Sequence, residues 1–320
     1  MQSFKIMITR RNIRIKVMQA LYAAESGINS DTSFNKSHLQ TDAEKIFNYS
    51  IDNTAELFSL LLLYMAKIAQ YAETDARNRS SKYLATDEDK TASIKIAGNT
   101  FLWDLLENET FKQKIKDCKL EKKLDGDIVK KKFRRLSASP EYQDYVSIES
   151  RNTASEKSIM KYLWEEVILS DEQFIDLFAD EEFNWDEDIE MMAILFDVLY
   201  KKPKSFNFNS FLSGEKKEYA HSLIETVLEK DAYLLSLIEP KFKNWDVERI
   251  AIVDLILLKM GVAELLYFET IPTKVTINEY IEVAKMYSTH QSRQFINGVL
   301  DNILKDLTQE GLIHKVSINK

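Results

Sequence analysis

The chain has 320 residues, 45% of them hydrophobic and 29% charged, with a formal net charge of −8. That length and apolar content suffice for one large domain or two ordinary ones and exclude a wholly disordered chain. Seven Gly and four Pro are too few for a turn-rich β fold, so the composition predicts an all-α protein of long helices joined by polar loops. The single cysteine, Cys118, cannot form an internal disulfide, which favours a reducing, cytoplasmic setting. There is no apolar signal core at the N-terminus, and no run reaches the ~18 apolar residues that span a bilayer. A soluble protein with no membrane partner is expected.

The first predicted helix runs from Arg10 to Ala24 with Thr9 as its N-cap, and Ile13, Val17, Ala20, Leu21 and Ala24 form its apolar stripe. At about 100° per residue, Arg10, Arg11 and Arg14 share an arc beside that stripe. Residues 25–42 are polar and read as a loop. From Ala43 to Ala76 the spacing of Leu57, Leu61, Tyr64, Met65, Ile68 and Tyr71 predicts one long helix, followed by a polar break over 77–89 and a helical stretch through Phe101 to Leu106. Residues 119–135 form a basic tract, which reads as a solvated helix interrupted by Glu121, Asp125 and Asp127. Residues 137–153, with Pro140 inside, read as a linker. Acidic helices are expected at about 155–169 and 186–202.

The remainder is densely helical. One helix is expected from Lys216 to Ile238, and a central buried one from Val247 to Leu266, apolar nearly all round. Thr276 and Glu279 fit a capping box ahead of Ile277, Tyr280 and Ala284. The last helix buries Ile296, Val299, Leu300, Ile303, Leu304 and Leu307. Gly298 lies inside it, where Gly costs about 1 kcal/mol relative to Ala, so close approach of another helix is expected there.

Charge is segregated along the chain. Residues 1–24 carry Lys5, Arg10, Arg11, Arg14 and Lys16 and no acid, whereas residues 162–200 carry many acids and no base. A polyanion responds to the local field, because salt screens charges beyond about 10 Å. Nothing points to catalysis. No two Gly lie close enough for a phosphate loop or a dinucleotide turn, the four His lack metal-ligand spacing, and no nucleophile elbow is present. No catalytic residue, metal or cofactor is expected, and the acids of 162–200 read as a solvated face. Trp164, Phe174, Phe178, Phe183 and Trp185 within that block read as core, with docking of a basic protein as the alternative.

Two features suit RNA. Guanidinium groups fork onto phosphates and stack on bases, so Arg10, Arg11 and Arg14 are candidate contacts, against the alternative of an ordinary basic helix end. Phe295, at the start of the last helix beside Gln291, lies roughly 100° off the apolar stripe. It is placed either to stack on an unpaired base or to pack one turn ahead on Val299.

The stretch Ile271-Pro272-Thr273-Lys274-Val275-Thr276-Ile277-Asn278-Glu279, with Phe295-Ile296-Asn297-Gly298-Val299-Leu300-Asp301, resembles the C-terminal signature of the transcription antitermination factor NusB family. Arg10-Arg11-Asn12-Ile13-Arg14 with Gln19-Ala20-Leu21-Tyr22 resembles its first helix. The resemblance covers about 9–24 and 214–307. It implies a NusB-like helical bundle formed by 1–25 and 186–312, with 26–185 as an additional helical insertion. It further implies a non-enzymatic protein that binds single-stranded boxA-type RNA of rRNA transcripts. The implied partners are NusE, a small-subunit ribosomal protein, and the RNA polymerase antitermination complex. The RNA contacts carried over are Arg10, Arg11, Arg14, Gln291 and Phe295, and the partner contacts Tyr22 and Asp254. The chain departs from the family at Asn12, where another base is common, and at Gln291, where an acid is common. Two alternatives remain: a helical scaffold that binds no RNA, and a relic of the NusB-like domain that heads some rRNA cytosine methyltransferases. The chain has neither the Gly-rich cofactor turn nor the catalytic-Cys α/β domain that such an enzyme needs.

Overall fold

The structure, a computed structural model, describes residues 8–28, 36–171, 174, 185–242 and 250–316. The described residues contain helices and no strand. In chain order the α-helices are α1 (Arg10–Ile28), α2 (Lys36–Ser80), α3 (Asp87–Lys90), α4 (Thr100–Leu106), α5 (Glu109–Asp117), α6 (Gly126–Ser137), α7 (Pro140–Ser147) and α8 (Thr153–Tyr162). They continue with α9 (Trp185–Lys201), α10 (Gly214–Glu229), α11 (Asp231–Ile238), α12 (Ile252–Tyr267), α13 (Thr273–Tyr287) and α14 (His290–Gln309). The chain divides into two compact units. One comprises the chain start to Ile8 and Asp52–Phe211; the other comprises Thr9–Ile51 and Leu212–Lys320.

That division differs from the sequence boundaries at the chain start, which falls with Asp52–Phe211, and at two further places that apolar packing explains. Residues 36–42, expected as loop, are helical, and the helix through 51 falls with the C-terminal unit, where Phe47 lies edge-on to His221 at 6.1 Å. Residues 186–211 fall with the other unit because their aromatics complete its core. Phe196 stacks on Trp164 at 4.6 Å, while Phe206, Phe208 and Phe211 surround Phe58. Trp164 and Phe174 are therefore core residues. Phe178 and Phe183 lie outside the described residues, as does the side chain of Trp185.

Within the first unit, the expected linker over 137–153 is instead helix α7, capped by Ser139 with Pro140 at its first position, and it buries Tyr142 and Tyr145. The basic tract is only partly solvated. Lys132 of α6 is buried, and its Nζ donates to the Val167 carbonyl (2.6 Å) and to Asp171 (2.8 Å). Val167 belongs to the π-helical turn Leu163–Leu169 that continues α8, where late carbonyls lack helical partners. Burial lowers the Lys132 pKa to about 8 despite the Asp171 contact. Cys118, which caps α5, is half-buried, and burial raises its thiol pKa away from reactivity.

The C-terminal unit is built around α12. The helix expected from Val247 begins at Ile252, which is exposed, but Ile256 to Leu265 are all buried, Lys259 and Glu264 among them, and α1, α10, α11, α13 and α14 pack against it. Thr9 caps α1 as expected, and Asn12 completes the box: Thr9 Oγ1 accepts from the Asn12 amide (3.2 Å), while the Asn12 side chain accepts from the Thr9 amide (3.3 Å). The single helix expected over 216–238 is broken at Lys230, which frees Asp231 to meet the buried Lys259 of α12 at 2.6 Å. Close helix approach occurs at Gly261 and not at Gly298. A Cβ on Gly261 would sit 3.0 Å from a Leu300 methyl, whereas one on the exposed Gly298 would meet nothing within 4 Å.

Gly298→Ala should therefore stabilise the protein by up to about 1 kcal/mol, through helix propensity alone. Gly261→Val should destabilise it by about 1–3 kcal/mol through overpacking. Urea denaturation of the two variants checks both signs.

Candidate nucleic-acid interface

The helices α1, α10, α12 and α13 meet at one buried carboxylate, Glu264 of α12, which is fully buried. Arg14 of α1 grips it in a bidentate fork, Nε to Oε2 at 2.9 Å and Nη2 to Oε1 at 2.8 Å. Tyr219 of α10 donates to Oε2 (2.6 Å), and from α13 Thr276 donates to Oε1 (2.7 Å) and Tyr280 to Oε2 (3.2 Å). The Arg14 guanidinium also lies 5.7 Å from the ring centres of both tyrosines. Burial pushes the Glu264 pKa up, but the Arg14 and hydroxyl hydrogen bonds outweigh it and hold the group ionised, below the ordinary carboxylate range. Burial, and next the Glu264 charge, hold the hydroxyls of Tyr219 and Tyr280 protonated well above the usual tyrosine range.

This arrangement corrects two sequence expectations. Thr276 and Glu279 form no capping box, because α13 starts at Thr273 with Pro272 as its N-cap. Thr276 instead faces inward to Glu264, and Glu279 reaches α1. Arg14 does not share an open arc with Arg10 and Arg11; its side chain is 2% exposed and is held in the core. A nucleotide cannot reach it while the core is closed.

Arg10 and Arg11 remain at the surface, with side chains 37% and 42% exposed. Arg10 pairs with Glu215 of α10 at 2.8 Å. Arg11 forks onto Glu279 of α13, with Nε and Nη2 each at 2.9 Å. One turn along α13, Glu282 is held below the ordinary carboxylate range. The hydrogen bond from Lys285 is its chief cause, and the nearby charges of Arg11 and Arg293 add to it. Arg293 lies in the first turn of α14, so the fields of a cation on α1 and of one on α14 both reach Glu282. Beside them, Arg293, Gln294, Asn297 and Ile281 line a cleft of about 290 Å³. Arg293 is not among the contacts expected from the sequence; its place in the first turn of the last helix, four residues before Asn297, is the available signal.

The other expected residues separate. Gln291 is exposed at the start of α14. Phe295 is buried, 9% exposed, with its ring 5.5 Å from that of Phe242. Tyr22 is exposed on α1. Asp254, in the first turn of α12, is 4% exposed and accepts a hydrogen bond from Ser288 at 2.5 Å. Among the described residues, no group of His, Cys, Asp and Glu could hold a metal, and no helix is long and apolar enough to cross a membrane.

Fold and site together define an all-helical protein whose polar features are a buried arginine–carboxylate hub and a charged surface at the start of its first helix. The sequence model of the NusB family matches residues 175–305. The chain is 42% identical over 94 residues to the transcription antitermination protein NusB of Listeria monocytogenes serotype 4a, covering 29% of this chain and 73% of that protein. It is 37% identical over 139 residues to the NusB of Salinibacter ruber, covering 43% and 80%. A solved structure of T. maritima NusB is 33% identical and covers 41% of this chain and 85% of its own, with a TM-score of 0.29. The chain belongs to the NusB family.

Truncating one partner of the buried hub leaves an uncompensated charge. Glu264→Gln or Arg14→Met should each cost about 3–5 kcal/mol in urea titrations, and the combined variant should lose less than the sum. The pH dependence follows from the signs. The lowered Glu264 pKa contributes stability that is full above the ordinary carboxylate range of about 4 and is lost as pH falls through the folded value. The raised tyrosine values contribute stability that is full below about 10 and is lost as pH rises further. Melting temperatures across pH should fall on both sides, with the alkaline fall reduced in Tyr280→Phe.

Proposed function

We propose that this protein is a non-enzymatic transcription antitermination factor that binds single-stranded, boxA-type RNA of rRNA transcripts in the cytoplasm. On this reading it acts together with the NusE ribosomal protein within the RNA polymerase antitermination complex. Its relatives' names supply the process. The observation that carries the RNA reading is the exposure of Arg10 and Arg11 at the start of α1, with Arg293 of α14 adding to the positive field felt at Glu282. Arg10, Arg11, Arg293 and Gln291 are the contacts that this face offers. Arg14 and Phe295 act behind it, Arg14 by seating α1 and Phe295 by packing the start of α14. The exposed Tyr22 suits a protein partner, whereas Asp254 orients the end of α13 through Ser288.

Pairing of Arg10 with Glu215 and of Arg11 with Glu279 tempers this face. Phosphates must compete with those carboxylates, which an exposed pair in water permits at a cost of about 1 kcal/mol or less. The same pairing also favours the second reading, a scaffold that binds only protein. Filter binding of a boxA-like RNA across salt, with and without NusE, separates the two. Under the proposed function, Arg10→Ala with Arg11→Ala weakens binding and reduces the slope of log K against log salt by about 1.4. Glu215→Gln frees Arg10 and should tighten binding severalfold. Unchanged affinity in both variants would favour the scaffold.

A further inference from the structure

The unit containing Asp52–Phe211 carries a cleft of its own, with one wall from 201–205, inside the residues that the NusB model matches, and the other from outside them. It has a volume of about 370 Å³ and lies where the end of α9 and the turn Pro203–Ser205 meet the first turns of α4 and α8. Lys157, Lys201, Lys202 and Lys204 line it, with Thr153 and Asp104. Lys157 donates to the Tyr200 carbonyl at 3.0 Å, which holds its ammonium at the wall. Lys204 pairs with Glu107 at 2.8 Å. Four lysines thus share the cleft wall with Asp104, while Glu107 beside it pairs with Lys204.

The helix starts bordering the cleft do not account for it. Glu156 already accepts from the Thr100 amide of α4 at 2.6 Å, and Asn152 caps α8 through the Ser155 amide. Attraction for an anion therefore comes from the lysines. A second observation selects among polyanions. Thr100, Trp103, Asp104 and Glu107 share one face of α4 by their helical spacing, and Trp103 is 53% exposed on it. A large indole in water beside a lysine-lined cleft is the pairing by which single strands are held, with phosphates on cations and a base on the aromatic face.

We propose that this cleft and Trp103 form a second contact site for single-stranded RNA, in which Lys201, Lys202 and Lys204 take phosphates and Trp103 stacks on a base. The choice of RNA among polyanions rests on the RNA-binding function proposed above. The site itself uses none of the residues of the other unit.

The test uses the full chain and a fluorescein-labelled 12-mer of uridine, titrated by anisotropy from 50 to 200 mM salt, with inorganic polyphosphate as competitor. Lys201→Gln with Lys202→Gln should weaken binding and lower the salt slope by about 1.4, the value for two phosphate contacts on a single strand. Trp103→Ala should weaken binding roughly fivefold or more while leaving the slope unchanged. All three side chains are exposed, so an unchanged melting temperature verifies folding. Loss only in the Arg10→Ala, Arg11→Ala variant would overturn this site and leave the function above standing. Loss only in the lysine and Trp103 variants would do the reverse. A lysine effect with no Trp103 effect, and full displacement by polyphosphate, would mark a site for polyanions in general and overturn the assignment to RNA.

Discussion

A carboxylate with no access to water organises the C-terminal unit. An isolated buried carboxylate is costly enough that it would ordinarily take up a proton. Glu264 instead accepts five hydrogen bonds, from Arg14, Tyr219, Thr276 and Tyr280, and those donors come from α1, α10 and α13. Such a cluster adds directional constraint to apolar packing that would otherwise tolerate rotation of one helix against another. The backbone carbonyl of the same residue accepts from Lys315 at 2.9 Å, which ties the segment after α14 to the same point.

The hub divides the arginines of α1 by depth. Three residues that read alike in sequence do different work, because α1 lies against α12 and α13 along the side that carries Arg14. The bidentate fork at Arg14 fixes the azimuth of α1, and that azimuth leaves Arg10 and Arg11 outward, toward Glu215 and Glu279. Substituting Lys at position 14 would keep the charge and lose the fork, since an ammonium group cannot present two parallel donors to one carboxylate. A similar economy operates in the other unit, where Glu156 accepts from the Thr100 amide, the Tyr145 hydroxyl and Arg151 together.

Much of the helical order was legible because apolar spacing and capping are local. Thr9 and most of the stripe of α14 fold as their sequences imply, whereas the helix expected from Val247 is formed, among the described residues, only from Ile252. Long-range polar pairing was not legible. Nothing in the run Thr276 to Glu279 distinguishes a cap from a donor to Glu264, 12 residues away, and an acceptor from Arg11, 268 residues away. Helix α7 was missed because Ser139-Pro140 reads as a break, although Pro is at home in a first turn. Phe295 shows the limit of periodicity: its angle on α14 is off the main stripe, yet Phe242 covers it from another element. Gly298 was credited with the close approach that Gly261 makes, since sequence marks a glycine without saying what lies beside it.

Glu264 seats α1 and thereby sets where the surface arginines stand. Hydrogen exchange of backbone amides in Glu264→Gln against the unaltered protein tests it most directly. The account predicts that protection falls first and furthest over Arg10–Ile28, while amides of Asp52–Phe211 keep theirs. Unchanged protection along the first helix, or an even loss across both units, would contradict it.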